Sequence, residues 1–283
     1  MAIDQKWERL KAQLLDMKLA VLAYSGGVDS SLLLRAASEV MGAHCIAVTA
    51  DSETYPAGEL LSAKEFARGL GVTHRIFHTD ELASEAFVRN SPDRCYYCKK
   101  ELFGKLRQLA DKEGISFVIE GSNTDDLKDH RPGRKAAQEY AVRSPLVEAG
   151  LSKSEVRELA RMLGLPVWDK PSLACLSSRI PYGTRITPAA LKTVQIAEDH
   201  LRALGFRQVR VRHHGDTARI EVDPSDFPRA LADGVAGRIT LLLKELGYTY
   251  VCLDLAGYRT GSMNEGVKPV RSAEFGVRSG EHE

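Results

Sequence analysis

The chain has 283 residues, more than one core usually organises, so two domains are the expectation. Hydrophobic residues at 43% and charged residues at 27% are ordinary globular values, and 39 Lys+Arg against 38 Asp+Glu leave a net charge of +1. That balance excludes a strong overall field drawing the chain to nucleic acid or an anionic membrane, so a charged ligand has to be met by a local cluster.

The first ten residues, MAIDQKWERL, lack the apolar core and cleavage site of a signal peptide, and no later apolar run is long enough to span a bilayer. A cytoplasmic location is therefore expected, with no membrane partner. Five cysteines are too few and too unevenly spaced for a disulfide framework, and read instead as buried, metal-binding or reactive thiols.

The first two-thirds alternates short apolar runs with amphipathic stretches, the pattern of parallel strands joined by crossover helices. Strands are predicted over residues 19–23, 45–50, 74–78 and 117–120. Helices are predicted over 30–41, 58–69 and 99–111, and Ser152-Lys153-Ser154-Glu155 matches a capping box opening a further helix over 155–163. The expected fold class is α/β, a doubly wound parallel sheet, over residues 1–180.

Ile180-Pro181-Tyr182-Gly183-Thr184 reads as a linker, after which the pattern changes. A helix from Thr187-Pro188 to about Leu204 precedes two alternating strands, 208–213 and 217–223, around His214-Gly215-Asp216. A helix over 230–246 and a strand over 250–255 complete a second, smaller α+β domain, residues 187–264. The tail 265–283 is expected to be poorly ordered.

Ser25-Gly26-Gly27-Val28-Asp29-Ser30 follows the first strand and opens a helix, where converging backbone N–H groups favour an anion. The two glycines allow close approach of phosphate, the serines add donors, and Asp29 can hold Mg²⁺. The GxxxxGK[ST] signature is absent, the loop carries no Lys, and GxGxxG spacing is absent too. Taken alone, the segment could be a Gly-rich turn. It resembles the SGGxDS motif of the PP-loop ATP pyrophosphatases, which cleave ATP between the α and β phosphates and adenylate an acceptor. That resemblance implies adenine near Ala50, after the second strand. Gly121-Ser122-Asn123-Thr124-Asp125-Asp126 lies at another strand's carboxyl end, where open α/β sheets place ligands. It is expected to be a second nucleotide-side loop contributing Gly121, Asn123 and Asp125 or Asp126.

Four further segments narrow the class. These are Arg94-Cys95-Tyr96-Tyr97-Cys98-Lys99-Lys100; residues 121–126 with Asp129-His130-Arg131-Pro132-Gly133; residues 171–183, which include Cys175 and Arg179; and the Val209 to His214 stretch with Ala218-Arg219-Ile220-Glu221. In this order they resemble the LarE family, ATP-dependent sulfur transferases that build the sulfur ligands of the nickel-pincer nucleotide cofactor of lactate racemase. The resemblance covers residues 19–264 and implies adenylation of a carboxylate on a pyridinium biscarboxylic acid mononucleotide, followed by displacement of AMP by sulfur. A carboxylate oxygen leaves poorly and an acyl-adenylate corrects that.

Cys95-x-x-Cys98 alone could be a redox pair, half a zinc site, two ligands of an iron-sulfur cluster or two buried helix-side thiols. One branch of the family sacrifices a single cysteine in the Cys175 region. The present chain resembles the three-cysteine branch, which implies a [4Fe-4S] cluster on Cys95, Cys98 and Cys175 and an external sulfide donor. Cys45 and Cys252 fall in apolar strands and read as inert core residues.

Alternation along the two later strands puts Arg210, Arg212 and Arg219 on one face of a hairpin, which taken alone is more often a solvated surface; the resemblance, with its mononucleotide substrate, implies instead a site for a phosphate monoester. The resemblance adds Arg179 to that phosphate site, Lys99 as an active-site lysine, and Glu198, Glu221 and Asp226 as carboxylates for a divalent metal on an axis of a homo-oligomer. Rival readings are a tRNA thiolase, weakened by near-neutral charge, and an amide-forming synthetase, which gives three thiols no role.

Overall fold

The computed structural model describes residues 2–127, 132–171, 174–259 and 262. Asp129, His130 and Arg131, Ser172 and Leu173, and the tail 265–283 lie outside the described residues. Eleven α-helices among them are α1 (Ile3–Met17), α2 (Val28–Val40), α3 (Ala57–Gly69), α4 (Glu85–Val88), α5 (Arg94–Lys112), α6 (Gly133–Glu139), α7 (Pro145–Glu148), α8 (Lys153–Met162), α9 (Pro188–Ala203), α10 (Phe227–Leu231) and α11 (Val235–Glu245). The strands are β1 (Ala20–Ala23), β2 (Cys45–Asp51), β3 (Thr73–His78), β4 (Phe117–Glu120), β5 (Val209–His214), β6 (Thr217–Val222) and β7 (Tyr250–Leu253).

β1 to β4 form one parallel sheet in the order β3-β2-β1-β4. Side chains alternate across it as strand geometry requires. Ala20 and Leu22 of β1 pack with α1, α2 and α8 in one core, while Val21 joins Phe103 and Leu106 of α5 on the other face. Because β1 is central and covered on both faces, its carboxyl end opens between its neighbours, where this class of sheet places ligands.

The capping box forms as expected, with Ser152 Oγ and Glu155 each serving the other's backbone. Thr187 likewise caps α9 through the amide of Ala190. The amino-terminal helix α1 was not among the expected elements, although Trp7, Leu10, Leu14 and Met17 are spaced as one buried helical face. The helix expected over 230–246 is two helices, because Gly234 takes φ 81° between them.

The smaller sheet has the order β5-β6-β7, antiparallel then parallel, and encloses its own apolar cluster with α9 and α11. Cys252 stands exposed on β7, not in the core as expected. β7 is an edge strand covered less completely than its apolar sequence implies. A further cluster, Phe87, Val88, Leu176, Ile180, Ile186, Leu191 and Val194, packs the segment after Cys175 between α4 and α9.

Candidate active site

The loop after β1 is shaped before any ligand arrives. Tyr24 continues pairing with Val48, and its carbonyl accepts from Thr49 Oγ1 at 2.7 Å. Gly26 takes φ 70°, and a Cβ there would stand 3.2 Å from Ala63 Cβ of α3. Ser30 Oγ accepts from the Ser25 amide at 3.2 Å and lies 3.1 Å from Ser25 Oγ. Gly27 caps α2 with no side-chain bond, leaving the first-turn amides to point at whatever occupies the cradle.

The loop after β4 meets it. A Cβ on Gly121 would lie 2.8 Å from Ser30 N and 2.9 Å from Ser30 Cα, so only glycine lets this strand end touch the start of α2. Asn123, buried, donates from Nδ2 to Asp29 Oδ1 at 3.1 Å, and its own amide donates to Asp126 Oδ2 at 3.0 Å. Asp125 Oδ2 accepts from the Lys153 amide at 2.8 Å. Asn123, Asp125 and Asp126 thus lie beside Ser25, Gly26, Gly27, Asp29 and Ser30, while Ala50 sits near the end of β2, opposite Phe77.

Residues outside the motif complete the rim. Lys153 of α8 forms an ion pair with Asp29, and Lys170 Nζ reaches Glu59 at 2.5 Å and the Gly26 carbonyl at 3.3 Å. The Tyr55 hydroxyl donates to the Ser25 carbonyl. Burial and the nearby Glu59 charge push that phenol up, so it stays a protonated donor.

Cys95 and Cys98 are one turn apart at the start of α5, and Cys175 immediately precedes the short helical turn Leu176–Arg179. The three thiols are close enough to act on one another. Cys98 is pushed well up by burial, then by Glu81 and Cys175; Cys95 is pushed up by loss of water around its thiol, then by Cys175, against the opposing charges of Arg94 and Lys99. Cys98 Sγ lies 3.5 Å from Glu81 Oε1. The buried Glu81 takes a further bond from Thr79, but its Oε2 has no hydrogen-bond partner among the described residues. Lys99 extends over the Phe103 ring, 4.9 Å from its centroid. Among the described residues no three His, Cys, Asp or Glu side chains converge on one point as a single ion requires.

Thr54 and Tyr55 connect the two centres. The Leu176 amide, next to Cys175, donates to the Thr54 carbonyl at 2.8 Å, while Tyr55 holds Ser25.

The arginines do share a face, with Arg212 opposite Arg219 and Arg210 opposite Glu221; Arg210, Arg212 and Glu221 are buried, while Arg219 stays partly exposed. Arg212 forks onto Glu221 at 2.9 and 2.6 Å and donates to the Ser178 carbonyl at 2.8 Å. Arg179 forks onto Glu198 at 2.7 and 2.9 Å, both side chains fully buried. Burial drives the Glu198 carboxyl up, yet Arg179, with Arg210 and Arg202, brings it below its ordinary value. Arg210 lies over Tyr258, and burial together with the Arg179 charge lowers it to about 10, still protonated at neutral pH. Arg219 reaches Asp254 at 2.6 Å and Glu221 at 3.2 Å. In this arrangement Glu198 and Glu221 are committed to guanidinium groups, and Asp226 lies 3.8 Å from Arg229.

The chain is 39% identical over 267 residues to the pyridinium-3,5-bisthiocarboxylic acid mononucleotide synthase of Lactiplantibacillus plantarum, spanning 94% of this chain and 96% of that protein. It belongs to the LarE family. This LarE-family chain is also 43% identical over 262 residues to an uncharacterized Synechocystis protein, covering 93% of this chain and 98% of that one. A more distant match, 28% identical over 189 residues and about half of each chain, is the tRNA-specific 2-thiouridylase of Rickettsia rickettsii. No family model matches the chain. The parallel sheet and these relatives make it a PP-loop enzyme, an ATP-dependent sulfurtransferase. No described helix is long and apolar enough to cross a membrane.

Lys153, Lys170, Tyr55 and Glu81 were missed by sequence reasoning. Only Lys153 carried a signal, its place in the capping box beside the second loop's expected position.

Proposed function

We propose that the chain uses ATP to adenylate a carboxylate of a pyridinium biscarboxylic acid mononucleotide and replaces that carboxylate by a thiocarboxylate, the chemistry named for its Lactiplantibacillus plantarum relative. The observation that carries this reading is the short segment Thr54-Tyr55, which binds the phosphate loop on one side and the Cys175 segment on the other. Activation and sulfur delivery then act on one bound acceptor.

In the first step a carboxylate oxygen attacks the α-phosphorus, the α–β bridge breaks and pyrophosphate leaves; Asp29 would hold the Mg²⁺ that neutralises the leaving group. The α2 amides and the serines of the loop hold the departing phosphates. In the second step a sulfur nucleophile attacks the acyl carbon and AMP leaves, carrying away the carboxylate oxygen.

Three soft thiols that act on one another suit an iron-sulfur group, which binds each through its own iron. Cys95, Cys98 and Cys175 would therefore hold a [4Fe-4S] cluster, whose bound form supplies an open iron position for sulfide. The sulfide donor, a homo-oligomeric assembly and a cytoplasmic location belong to the same proposal, as does its division at 1–180 and 187–264.

Anaerobic protein with ATP, the mononucleotide and sulfide should form AMP, pyrophosphate and thiocarboxylate together. Asp29→Ala should lose pyrophosphate release, and single Cys95→Ala, Cys98→Ala or Cys175→Ala variants should lose iron and repeated turnover. A wild-type protein with no iron that loses mass at Cys175 after one turnover would replace the cluster by a sacrificial cysteine.

A further inference from the structure

Cys95 and Cys98 belong to α5 and Cys175 to a segment far along the chain, and one sulfur centre needs the two held in a fixed register. The apolar cluster that joins them, with Tyr97 and Cys98 packed on Phe87, Val88, Leu176 and Ile180, is non-directional and secures proximity more than register. Register calls for polar contacts. Residues 180–184, which read from the sequence as a linker, supply them by bonding to the turn that leads into α5.

Asn90 is the centre of this contact. It is fully buried and takes φ 56°, a left-handed conformation that asparagine tolerates better than most residues. Its Nδ2 donates to the carbonyls of Ile180 at 3.2 Å, Pro181 at 2.8 Å and Thr184 at 2.9 Å, so one side chain serves three main-chain acceptors of one turn. The Asn90 carbonyl accepts from the Gly183 amide at 3.0 Å, and the Val88 carbonyl from the Ile186 amide at 2.9 Å. Asn90 Oδ1 accepts from Nη1 of Arg94, which fixes the amide's orientation: the oxygen faces the guanidinium and the nitrogen faces the carbonyls. Arg94 is buried too, its guanidinium 4.6 Å from the Tyr182 ring centroid, so the same turn is also held by its aromatic side chain. Arg94 is the first residue of α5 and Cys95 the next. Burial and Cys175 raise the Cys95 thiol, and the Arg94 charge opposes both.

We infer that Asn90 is a positioning residue of the sulfur centre: with Arg94 and Tyr182 it latches the turn after Cys175 to the start of α5 and so sets the spacing of Cys175 from Cys95 and Cys98. Its side-chain bonds run to main-chain carbonyls and to Arg94, so it acts through the thiols' backbone. The Thr54 bond to the Leu176 amide ties the same segment towards the phosphate loop; the latch ties it towards the helix of Cys95 and Cys98.

The inference rests on the sulfur centre proposed above, and its test separates the two. Asn90→Gly keeps the left-handed turn, which glycine adopts freely, and removes only the amide. Iron-free, full-length protein is treated with dibromobimane, which bridges neighbouring thiols, and the bridges are located by peptide mass spectrometry. The Cys95–Cys98 bridge lies within α5 and serves as the internal reference. In Asn90→Gly the bridge from Cys175 to Cys95 or Cys98 should fall about tenfold against that reference, the population shift from losing roughly two hydrogen bonds of ordinary net strength. Tyr182→Leu, which removes the ring beside Arg94 and leaves the amide, should lower it about threefold. A chelator should strip iron from anaerobically reconstituted Asn90→Gly faster than from wild type by a factor similar to the fall in the bridge, while MgATP binding stays unchanged. Wild type that takes up no iron removes the cluster and not the latch, because the bridge ratio is read on iron-free protein. A side chain that only stabilised the fold would lower the thermal midpoint and leave the bridge ratio of the folded protein as in wild type. That unchanged ratio in Asn90→Gly, or in Tyr182→Leu if Asn90→Gly does not fold, overturns the inference, as does wild type that forms no Cys175 bridge.

Discussion

Gly121→Ala should damage the nucleotide site from a position that carries no functional group. The added Cβ would stand 2.8 Å from Ser30 N, 2.9 Å from Ser30 Cα and 3.2 Å from the Asp29 carbonyl carbon, all backbone atoms of the first turn of α2. No side-chain rotation relieves such contacts, so the β4 loop and α2 must separate by several tenths of an ångström. Overpacking of this kind costs about 1–3 kcal/mol. The separation also stretches the 3.1 Å bond from Asn123 to Asp29, so the KM for MgATP should rise along with the loss of stability. Gly237→Ala is the control: Gly237 lies inside α11, a Cβ there meets nothing within 4 Å, and alanine should be neutral or stabilising by up to about 1 kcal/mol. Urea unfolding with pyrophosphate-release kinetics measures both effects. Gly121→Ala with wild-type stability and KM would refute the claim that these two loops are in obligatory contact.

Arg179→Met leaves the fully buried Glu198 without its fork, which should cost about 3–5 kcal/mol, and Arg179→Met/Glu198→Leu should recover much of that loss in urea unfolding. Acid should also weaken the fold near neutrality. Burial lowers the pKa of His74, His213 and His214 from 6.5, with the Lys64 charge adding to His74 and the Arg219 charge to His214. The unfolded chain therefore takes up protons first, and stability falls as pH drops below about 6.5 through the depressed folded values. His213→Gln, which removes the partner of the Tyr248 hydroxyl, should flatten the slope of unfolding midpoint against pH between 5 and 7.

Local signals were the legible part. The loop between β1 and α2, the capping box at Ser152 and the Thr187 cap each depend on residues within a few positions, and all appear where their spacing places them. Alternation also located Arg210, Arg212 and Arg219 on one face. It did not reveal that Arg210 and Arg212 are buried, because the partners come from elsewhere: Ser178 meets Arg212 across 34 residues, and the nearby Glu198 reaches Arg179 across 19. Lys153 and Asp29 are 124 residues apart. No periodicity encodes such a pairing; it arises from the β1–β4 crossover, which brings α8 beside α2. Cys252 shows the converse error, since an apolar run predicts a strand without fixing whether both its faces are covered.

The buried Arg179–Glu198 pair bears on where Cys175 is held. Desolvating Arg179 and Glu198 together is expensive, and a buried ion pair is often no better than an apolar substitute. Here the guanidinium has a second task that no apolar side chain performs. Its Nη1 donates to the carbonyls of Ala174 at 2.6 Å and Cys175 at 3.0 Å while its other nitrogens hold Glu198, which in turn accepts from the Val211 amide at 3.1 Å. One planar donor fork therefore ties the backbone of Cys175 to α9 and to strand β5 of the smaller sheet. Lysine, with a single ammonium, cannot span both sides. The Thr54 carbonyl anchors the next residue, Leu176, from the nucleotide side. The Cys175 segment is thus fixed from the smaller sheet by Arg179 and from the phosphate loop's side by Thr54, so its placement depends on both halves of the fold at once.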